Sequence, residues 1–477
     1  MATISSAGIG SGLDVESLVT KLVSLERTPI TQLATRTDGL KTELSSFGKV
    51  QSALSTLRDA AAKLTNPTTW AGTLATSSDA TAVTASATDG AAIGNVSVEI
   101  GKLAQAQTLV SSKTYTGPTA TVGSGTLTIQ LGTWATDTAG NVTGFTDKPD
   151  TAAVTINIPD GATLAGVRDA INAAGAGVAA SIVSDANGSR LSLRSTATGA
   201  SNGFSISASD GVADLGYDPR VGVSSMLQTL PAQNARVLIN NIEISSESNT
   251  LKSAIDGLNI TLLKTTSVPA SVAVSQDKDS IKKAITDFTT AYNAVNALLR
   301  DQTKYDSASK TAGALQGDST AIGLQNQLRG IVGGTTSLAG SIGRLAQIGM
   351  QPGADGNITT SDSKLTSALS DLDSVKKLFA GLDNTTGSNG SNDGFAQRIR
   401  SYVDGALSTD GRLTARQKGL QKQIDSNNKR SDELEDRVAA TEARIRARYT
   451  ALDTQMSQLN GLSNYVTQQL ASLKSSG

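Results

Sequence analysis

The feature that most constrains the fold is a seven-residue repeat near the C-terminal end of the chain. Its positions are Ile424, Ser431, Val438, Ile445, Leu452, Leu459, Val466 and Leu473, of which only Ser431 is polar. A companion row is apolar at Leu413, Leu420 and Leu434 but polar at Thr441, Arg448 and Gln455. The spacing predicts a long helix that begins near Arg412. Because the companion row turns polar, we expect this helix to pack against the N-terminal helix and neighbouring subunits, rather than to form an isolated two-stranded coil.

The N-terminal region carries a matching repeat. Its apolar positions are Leu33, Leu40, Phe47, Leu54 and Ala61, with a second row at Val50, Leu57 and Leu64. Upstream, a shorter amphipathic stretch contains Leu18, Val19, Leu22, Val23 and Leu25, and Pro29 is predicted to interrupt the helix, because the residue before a proline disfavours α geometry. Since both ends of the chain carry heptads, we expect residues 33–64 to lie beside helices between residues 278 and 445.

The middle of the chain, from about residue 68 to residue 277, has a different pattern. Ser, Thr, Gly and Val dominate, and apolar residues alternate with polar ones, as in Thr126 to Leu131 and Val154 to Ile158. Alternation of this kind predicts β-strands, and the dipeptides Asp160-Gly161 and Asn187-Gly188 predict turns between them. One helix is predicted between Thr163 and Ala174.

Helical ends around a β-rich middle indicate the α+β class. We predict a long helical-bundle leg built from both termini, with a β-rich head inserted between them. Residues 1–40 and 445–477 are predicted to form terminal coiled-coil helices, residues 41–72 and 277–444 a helical leg domain, and residues 73–276 a β-rich head of two small β domains.

Composition excludes several classes of function. The chain has 477 residues, a net charge of −1, and neither Cys nor His. Disulfides, thiol nucleophiles, Cys/His zinc sites and His-based triads are therefore impossible. The balanced charge argues against nucleic acid as a partner, and no segment reaches the roughly 18 apolar residues that a membrane span needs. We predict no catalytic, cofactor-binding or metal-binding residues and no enzymatic activity, although a glycosidase with paired carboxylates stays formally open.

Two short motifs resemble ligand-binding loops, one for a nucleotide and one for calcium. Gly8-Ile9-Gly10-Ser11-Gly12 is similar to a nucleotide loop but lacks the third glycine and a preceding strand, so we interpret it as a leader before a helix. Asp355-Gly356-Asn357 suggests a calcium loop, but its glycine is misplaced and no Glu closes the loop. We interpret this second motif as a turn.

The N-terminal sequence resembles a known family. Gly8 to Val19, followed by Leu25-Glu26-Arg27-Thr28-Pro29-Ile30, closely resembles the start of the flagellar hook-associated protein 2 family, the flagellar filament cap proteins. Val154 to Ser207 resembles a repeat found in flagellin and hook proteins. Further similar segments follow in family order, at residues 249–263, 288–299, 313–319, 355–369 and 449–470. Residues 111–150 match the family least.

The resemblance implies a structural cap at the tip of the bacterial flagellar filament that guides the folding and insertion of exported flagellin and prevents its loss. It implies a ring-shaped homo-oligomer, usually a pentamer, whose other partners are flagellin, the hook-filament junction protein during assembly, and an export chaperone. Such a protein is extracellular, after export by the flagellar secretion apparatus without a cleaved signal peptide. The alternatives are another axial flagellar protein, such as a hook-filament junction protein, or a tip adhesin that serves in cell adhesion.

The heptads also predict which residues form the helix seam and take part in assembly. These are Leu18, Leu22, Leu25, Leu33, Leu40, Phe47, Leu54, Val438, Ile445, Leu452, Leu459, Val466 and Leu473. The rows at the two ends of the chain are narrow and bury little area alone, so we expect a partner to cover them.

Overall fold

The computed structural model describes residues 14–385 and 390–474, except for the side chains of Ser253 and of residues 472–474. The motif Gly8–Gly12 and the side chain of Leu473 lie outside the described residues. Within them, the helices are α1 (Val15–Glu26), α2 (Thr28–Thr65), α3 (Pro67–Ala71), α4 (Leu164–Ala173), α5 (Lys278–Thr303), α6 (Ser319–Gly333), α7 (Asp362–Ala368), α8 (Leu372–Ala380), α9 (Phe395–Leu407) and α10 (Arg412–Lys474).

The strands fall mainly in the middle of the chain, so the predicted α+β class is confirmed. They are β1 (Thr73–Ser77), β2 (Val83–Ala87), β3 (Gly94–Lys102), β4 (Thr108–Ser111), β5 (Gly125–Thr136), β6 (Val142–Asp147), β7 (Val154–Ile158), β8 (Val178–Asp185), β9 (Gly188–Ser195), β10 (Gly203–Ala208), β11 (Tyr217–Asp218), β12 (Val223–Ser224), β13 (Met226–Leu230), β14 (Ala235–Ile239), β15 (Ile242–Ser246), β16 (Thr250–Ile255), β17 (Leu258–Leu262), β18 (Ala270–Gln276), β19 (Tyr305–Asp306), β20 (Thr311–Ala312), β21 (Met350–Pro352) and β22 (Ile358–Thr360).

The chain divides into two compact units. The helical unit comprises Met1–Trp70 and Asp279–Gly477, and the β unit comprises Ala71–Lys278. Both chain ends therefore contribute to one unit, and the β unit is an insertion in it.

The core of the helical unit is built from the N-terminal heptads. Leu40, Phe47 and Leu54 of α2 are buried in one hydrophobic core together with residues of α5, α6, α8, α9 and the first part of α10. α5 contributes the row Ile281, Ile285, Phe288, Tyr292, Val295 and Leu299, all of it buried. The heptads thus position α2 against helices from the second half of the sequence, as expected.

A polar network fixes the hairpin of β21 and β22 to this core. The Tyr292 hydroxyl donates to the Gly356 carbonyl at 3.1 Å, and the side chain of Asn293 both donates to Ile358 O and accepts from Ile358 N. Arg329 Nη2 donates to Asp355 O at 2.6 Å. Gly356 has φ +81°, and a Cβ there would lie 2.2 Å from Arg329 Nε. The segment Asp355–Asn357 is therefore a turn, as interpreted above, and it requires glycine.

The β unit contains two hydrophobic cores. One lies between the five-stranded sheet β1-β18-β3-β14-β15 and the three-stranded sheet β16-β17-β2. The other lies between the sheet β12-β11-β10-β5-β6, with β7 also paired to β5, and the four-stranded sheet β13-β4-β9-β8, and it includes α4. The predicted helix after Thr163 is α4, and the Thr163 hydroxyl caps it by accepting from Gly166 N.

The two ends of the β unit meet in one sheet. β1 pairs antiparallel with β18, with Thr73 opposite Gln276. Next to this pair, Asp277 N donates to Gly72 O at 2.9 Å. The chain therefore enters and leaves the β unit at adjacent positions.

Candidate assembly surface

α1 packs along α10 through three valines. Val15, Val19 and Val23 recur every four residues on one face of α1, and they are buried against Val438 of α10. Asp14 begins the helix by accepting from Ser17 N at 3.0 Å. Ile30, Ile445 and Tyr449 border this small core. It gives the N-terminal helix a partner within its own chain.

A charged contact fixes the position of α1 on α10. Arg446 donates from Nη1 and Nη2 to the two carboxylate oxygens of Glu16, at 2.6 and 2.7 Å, and from Nε to Glu442 at 2.9 Å. The hydrogen bonds from Arg446 lower the pKa of Glu16, and those to Glu16 and Glu442 raise the pKa of Arg446. A bidentate pair of this kind fixes orientation as well as distance.

The predicted leucines of α1 lie on a different face from the valines. Leu18, Leu22 and Leu25 are 38%, 40% and 70% exposed. Each of Leu18 and Leu22 follows a buried valine by three residues, which places the two rows about 60° apart on the helix. α10 buries the valine row and covers Leu18 and Leu22 only in part. The role of the leucines in assembly stays a prediction.

The predicted residues of α2 divide by position. Leu40, Phe47 and Leu54 lie in the core of the helical unit, whereas Leu33 is half-buried and outside that core. Because Leu40, Phe47 and Leu54 are buried within the chain, folding alone explains why they are apolar, and no role in assembly is needed.

The heptad row of α10 is buried at one end and exposed at the other. Val438 is buried and Ile445 half-buried where α1 covers them. Leu452, Leu459 and Val466 continue the same stripe and are 41%, 59% and 48% exposed. Complete burial of an aliphatic side chain contributes roughly 1.5–3 kcal/mol, so a half-exposed leucine could gain roughly 1 kcal/mol from a partner.

Three further apolar residues extend this exposed surface, and the prediction omitted them. They are Leu462, Tyr465 and Leu470, each about 60% exposed. Leu470 lies on the same face as Leu459 and Val466, and Leu462 lies beside it, because residues three and four apart on a helix are neighbours. Strict seven-residue counting misses such positions, whereas i+3 and i+4 spacing from Leu459 and Val466 finds Leu462 and Leu470, and i+3 spacing from Leu462 then finds Tyr465. We call Leu452, Leu459, Leu462, Tyr465, Val466 and Leu470 the distal row.

A shallow groove joins α1 to the start of the distal row. Leu22, Ile445, Arg448, Tyr449 and Leu452 line it, with a volume of about 390 Å³. One of the exposed leucines of α1 and the first residue of the distal row therefore share one apolar surface.

The described residues offer little for small-molecule chemistry. Within residues 14–385 and 390–474, no group of three or more acidic, His or Cys side chains could hold a metal ion. In the same part of the chain, no helix has the length and hydropathy to cross a membrane. Tyr292, whose pKa burial raises to about 12, has its hydroxyl occupied by the Gly356 carbonyl.

Sequence profiles of known families match most of the chain. The profile described as the flagellar hook-associated protein 2 N-terminus matches residues 11–107, and that of its C-terminus matches residues 232–461. Between them, the flagellin hook IN motif matches residues 139–197, which include β7, α4, β8 and β9. These matches define a structural protein of the flagellar hook-associated class.

Full-length relatives give the family. The chain is 33% identical over 484 residues to flagellar hook-associated protein 2 of Escherichia coli strain K12, with 98% of each chain covered. It is 29% identical to the Salmonella typhimurium protein of the same name, with 100% of each covered. A crystal structure of the flagellar cap protein FliD from Escherichia coli, domains D1 to D3, aligns with a TM-score of 0.58 and 33% identity, covering 79% of this chain and 99% of that one. The protein belongs to the flagellar hook-associated protein 2 family, which confirms the resemblance seen in its sequence.

Proposed function

We propose that the protein is the structural cap of a bacterial flagellar filament, where it guides exported flagellin into the filament and prevents its loss. The observation that carries the proposal is its 33% identity, over 98% of its length, to a flagellar hook-associated protein 2, together with its likeness to a structure titled flagellar cap protein. The alternative of a hook-filament junction protein is not favoured, because these relatives carry the cap protein's name. The protein then acts outside the cell, at the filament tip.

The distal row is proposed as the surface that contacts other protein chains. Its side chains lie on a helix that α1 covers around Val438 and Ile445, and they are exposed in the described part of the chain. Helices with an exposed apolar stripe bind other helices through it. We propose that neighbouring copies and filament flagellin cover the distal row, and that Leu18, Leu22 and Leu25 extend the same contact.

The finer features of the proposal concern partners and export. We propose a ring of identical subunits, with five the expected number, which meets the hook-filament junction protein before filament growth and an export chaperone before secretion. We further propose export through the flagellar apparatus without a cleaved signal peptide. The proposed division of the helical unit into terminal coiled-coil segments (1–40 and 445–477) and a leg domain (41–72 and 277–444) assigns oligomer contacts to the former.

Complementation tests the function directly. A flagellated strain that lacks its own cap protein is given this chain, and filament length and monomeric flagellin in the medium are measured. Restored filaments with little free flagellin support the proposal; unchanged loss of flagellin, with the protein exported, contradicts it.

A paired variant tests the distal row in the same strain. Leu459→Ser with Val466→Ser should be exported but should leave flagellin in the medium. The matched control is Asn464→Ser with Gln468→Ser, which changes two exposed polar residues on the opposite face of the same helix and should behave as the unmodified chain. Equal capping by both variants would refute the role of the row.

A further inference from the structure

The pair of helices α2 and α10 contains a polar interval between two hydrophobic cores. The core of the helical unit ends at Leu40 on α2 and Ile424 on α10. The small core beneath α1 begins at Ile30 on α2 and Val438 on α10. Between Ile424 and Val438, all of which the structure describes, α10 fully buries no apolar side chain, and its one apolar residue there, Leu434, is half-buried. This interval is roughly 20 Å of helix.

Polar side chains occupy two of the three seam positions of the interval, and Leu434 occupies the third. Asn427 and Ser431 lie where the two heptad rows of α10 continue from Leu420 and Ile424. The amide nitrogen of Asn427 is buried and has no hydrogen-bond partner among the described residues. A buried donor without a partner weakens a packed seam, because it gives up its bond to water without replacement.

The facing part of α2 is polar as well. Arg416 contacts Glu43, and further along Ile424 shares a core with Leu40, so the two helices run antiparallel. The stretch of α2 that faces the interval therefore contains Thr37, whose side chain is only 5% exposed. The leucines of this stretch, Leu33 of α2 and Leu434 of α10, are each only half-buried and belong to neither core.

Charged side chains do not replace the missing apolar contacts. Between Asn427 and Val438, α10 carries seven exposed charged residues, which are Lys429, Arg430, Asp432, Glu433, Glu435, Asp436 and Arg437. In the part of the chain that the structure describes, the ion pairs between α10 and the N-terminal helices are those of Arg416 with Glu43 and of Arg446 with Glu16, one on each side of the interval. The charged residues of the interval are exposed and do not stabilise the contact between α2 and α10 there.

We propose that residues 425–437 of α10, with the facing stretch of α2 around Thr37, form a hinge. At this hinge, the distal segment (α1, the first turns of α2 and α10 from Val438 onward) bends relative to the core of the helical unit. Both helices keep their backbone hydrogen bonds, so the motion is a bend and an opening of the seam rather than unfolding. Two rigid bodies joined by a weakly packed interval are the usual architecture of a hinge motion. The proposal does not depend on the proposed function.

Distance measurements between spin labels test the hinge, and the absence of native cysteine makes labelling specific. The reporting pair is Lys422→Cys with Ala443→Cys, which flanks the interval on α10. The reference pair is Thr42→Cys with Lys63→Cys, which has the same separation of 21 residues on α2 within the packed core. Electron–electron resonance on the purified full-length monomer should give a distribution at least about twofold wider for the reporting pair. Equal widths would overturn the proposal.

Variants that repack the seam distinguish bending at the hinge from fraying of α10 as the cause of a wide distance distribution. Asn427→Leu with Ser431→Leu restores the apolar heptad and should narrow the reporting distribution to the width of the reference pair. Glu433→Leu adds an apolar side chain on the exposed face and should leave the width unchanged. Asn427→Leu alone serves if the double variant loses helicity by circular dichroism, and should give an intermediate width. A reporting distribution that stays wide in both folded seam variants would overturn the proposal.

Discussion

Glu16 of α1 and Arg446 of α10 form a bidentate pair at 2.6 and 2.7 Å, although 430 residues separate them in sequence. The pair lies at the edge of the valine core that holds α1 against α10. The face of α1 that carries Glu16 and the valines packs on α10, and Leu18, Leu22 and Leu25 stay partly exposed.

The first prediction concerns acid sensitivity of the α1 contact. Because the pKa of Glu16 is lowered in the folded state, its contribution is complete above its ordinary value of 4.5 and is lost as the pH falls through the lowered pKa. A fluorophore on Lys21→Cys should therefore report a weakening of the α1 contact as the pH falls below about 4.5, with the buried valines still holding part of it. Glu16→Gln should weaken the contact between α1 and α10 at neutral pH. It should also reduce the change in fluorescence between about pH 4.5 and lower pH. An unchanged acid transition in Glu16→Gln would assign it to other carboxylates.

The second prediction concerns the hairpin turn at Gly356. Gly356→Ala places a Cβ against the Arg329 guanidinium at a positive φ, so it should destabilise the helical unit by roughly 1–3 kcal/mol. Gly323→Ala is the matched control, because it lies inside α6 with open space around its Cβ and should stabilise by about 0.5–1 kcal/mol. Chemical unfolding followed by circular dichroism measures both. Effects of the same sign would contradict the described packing.

The third prediction concerns removal of the β unit. Thr73 and Gln276 are cross-strand neighbours, so a short Gly-Ser linker can replace residues 73–276 without separating the helices. The core of the helical unit contains none of the removed residues, so the shortened chain should retain a cooperative helical unfolding transition. Loss of that transition would show that the helices need the β unit.

The shortened chain also tests the part that the β unit plays in capping. Cells that carry it in place of a cap should release monomeric flagellin. Filaments of normal length from such cells would remove the β unit from the capping mechanism.

The fourth prediction concerns amide exchange along α10. Beyond Leu452 most of the described side chains of α10 are exposed, so the helix there buries little apolar surface. In the dilute monomer, amides 452–470 should exchange much faster than amides 281–299, whose side chains form the buried row of α5. Assembly should slow the first group and leave the second unchanged. Equal protection in a verified monomer would mean that the distal row is already covered.

Much of the fold could be predicted from periodicity. Heptads at both ends predicted that Phe47 and Leu54 share a core with the helix containing Phe288 and Tyr292, because a seven-residue stripe has no other way to be buried. The period of two and the Gly-containing turns likewise predicted strands such as β5 and β7. These features are local, so one sequence is sufficient to find them.

The face that α1 buries could not be predicted in the same way. Val15, Val19 and Val23 form one apolar row at helical spacing and Leu18, Leu22 and Leu25 form another, so hydrophobicity alone does not choose between them. The valines are buried where Glu16 reaches Arg446, a contact that only the tertiary structure brings together. The hydrogen bonds around Asn293 and Gly356 could not be predicted from the sequence either, because their donors and acceptors lie on separate elements.

Localisation of the protein on intact flagella tests the central claim most directly. A single cysteine at the exposed position Thr265 of the β unit, labelled with gold, marks the protein in electron micrographs of filaments. We predict one cluster of label at the distal end of each filament and none elsewhere. Label at the junction of hook and filament, or distributed along the filament, would contradict the assignment as a cap.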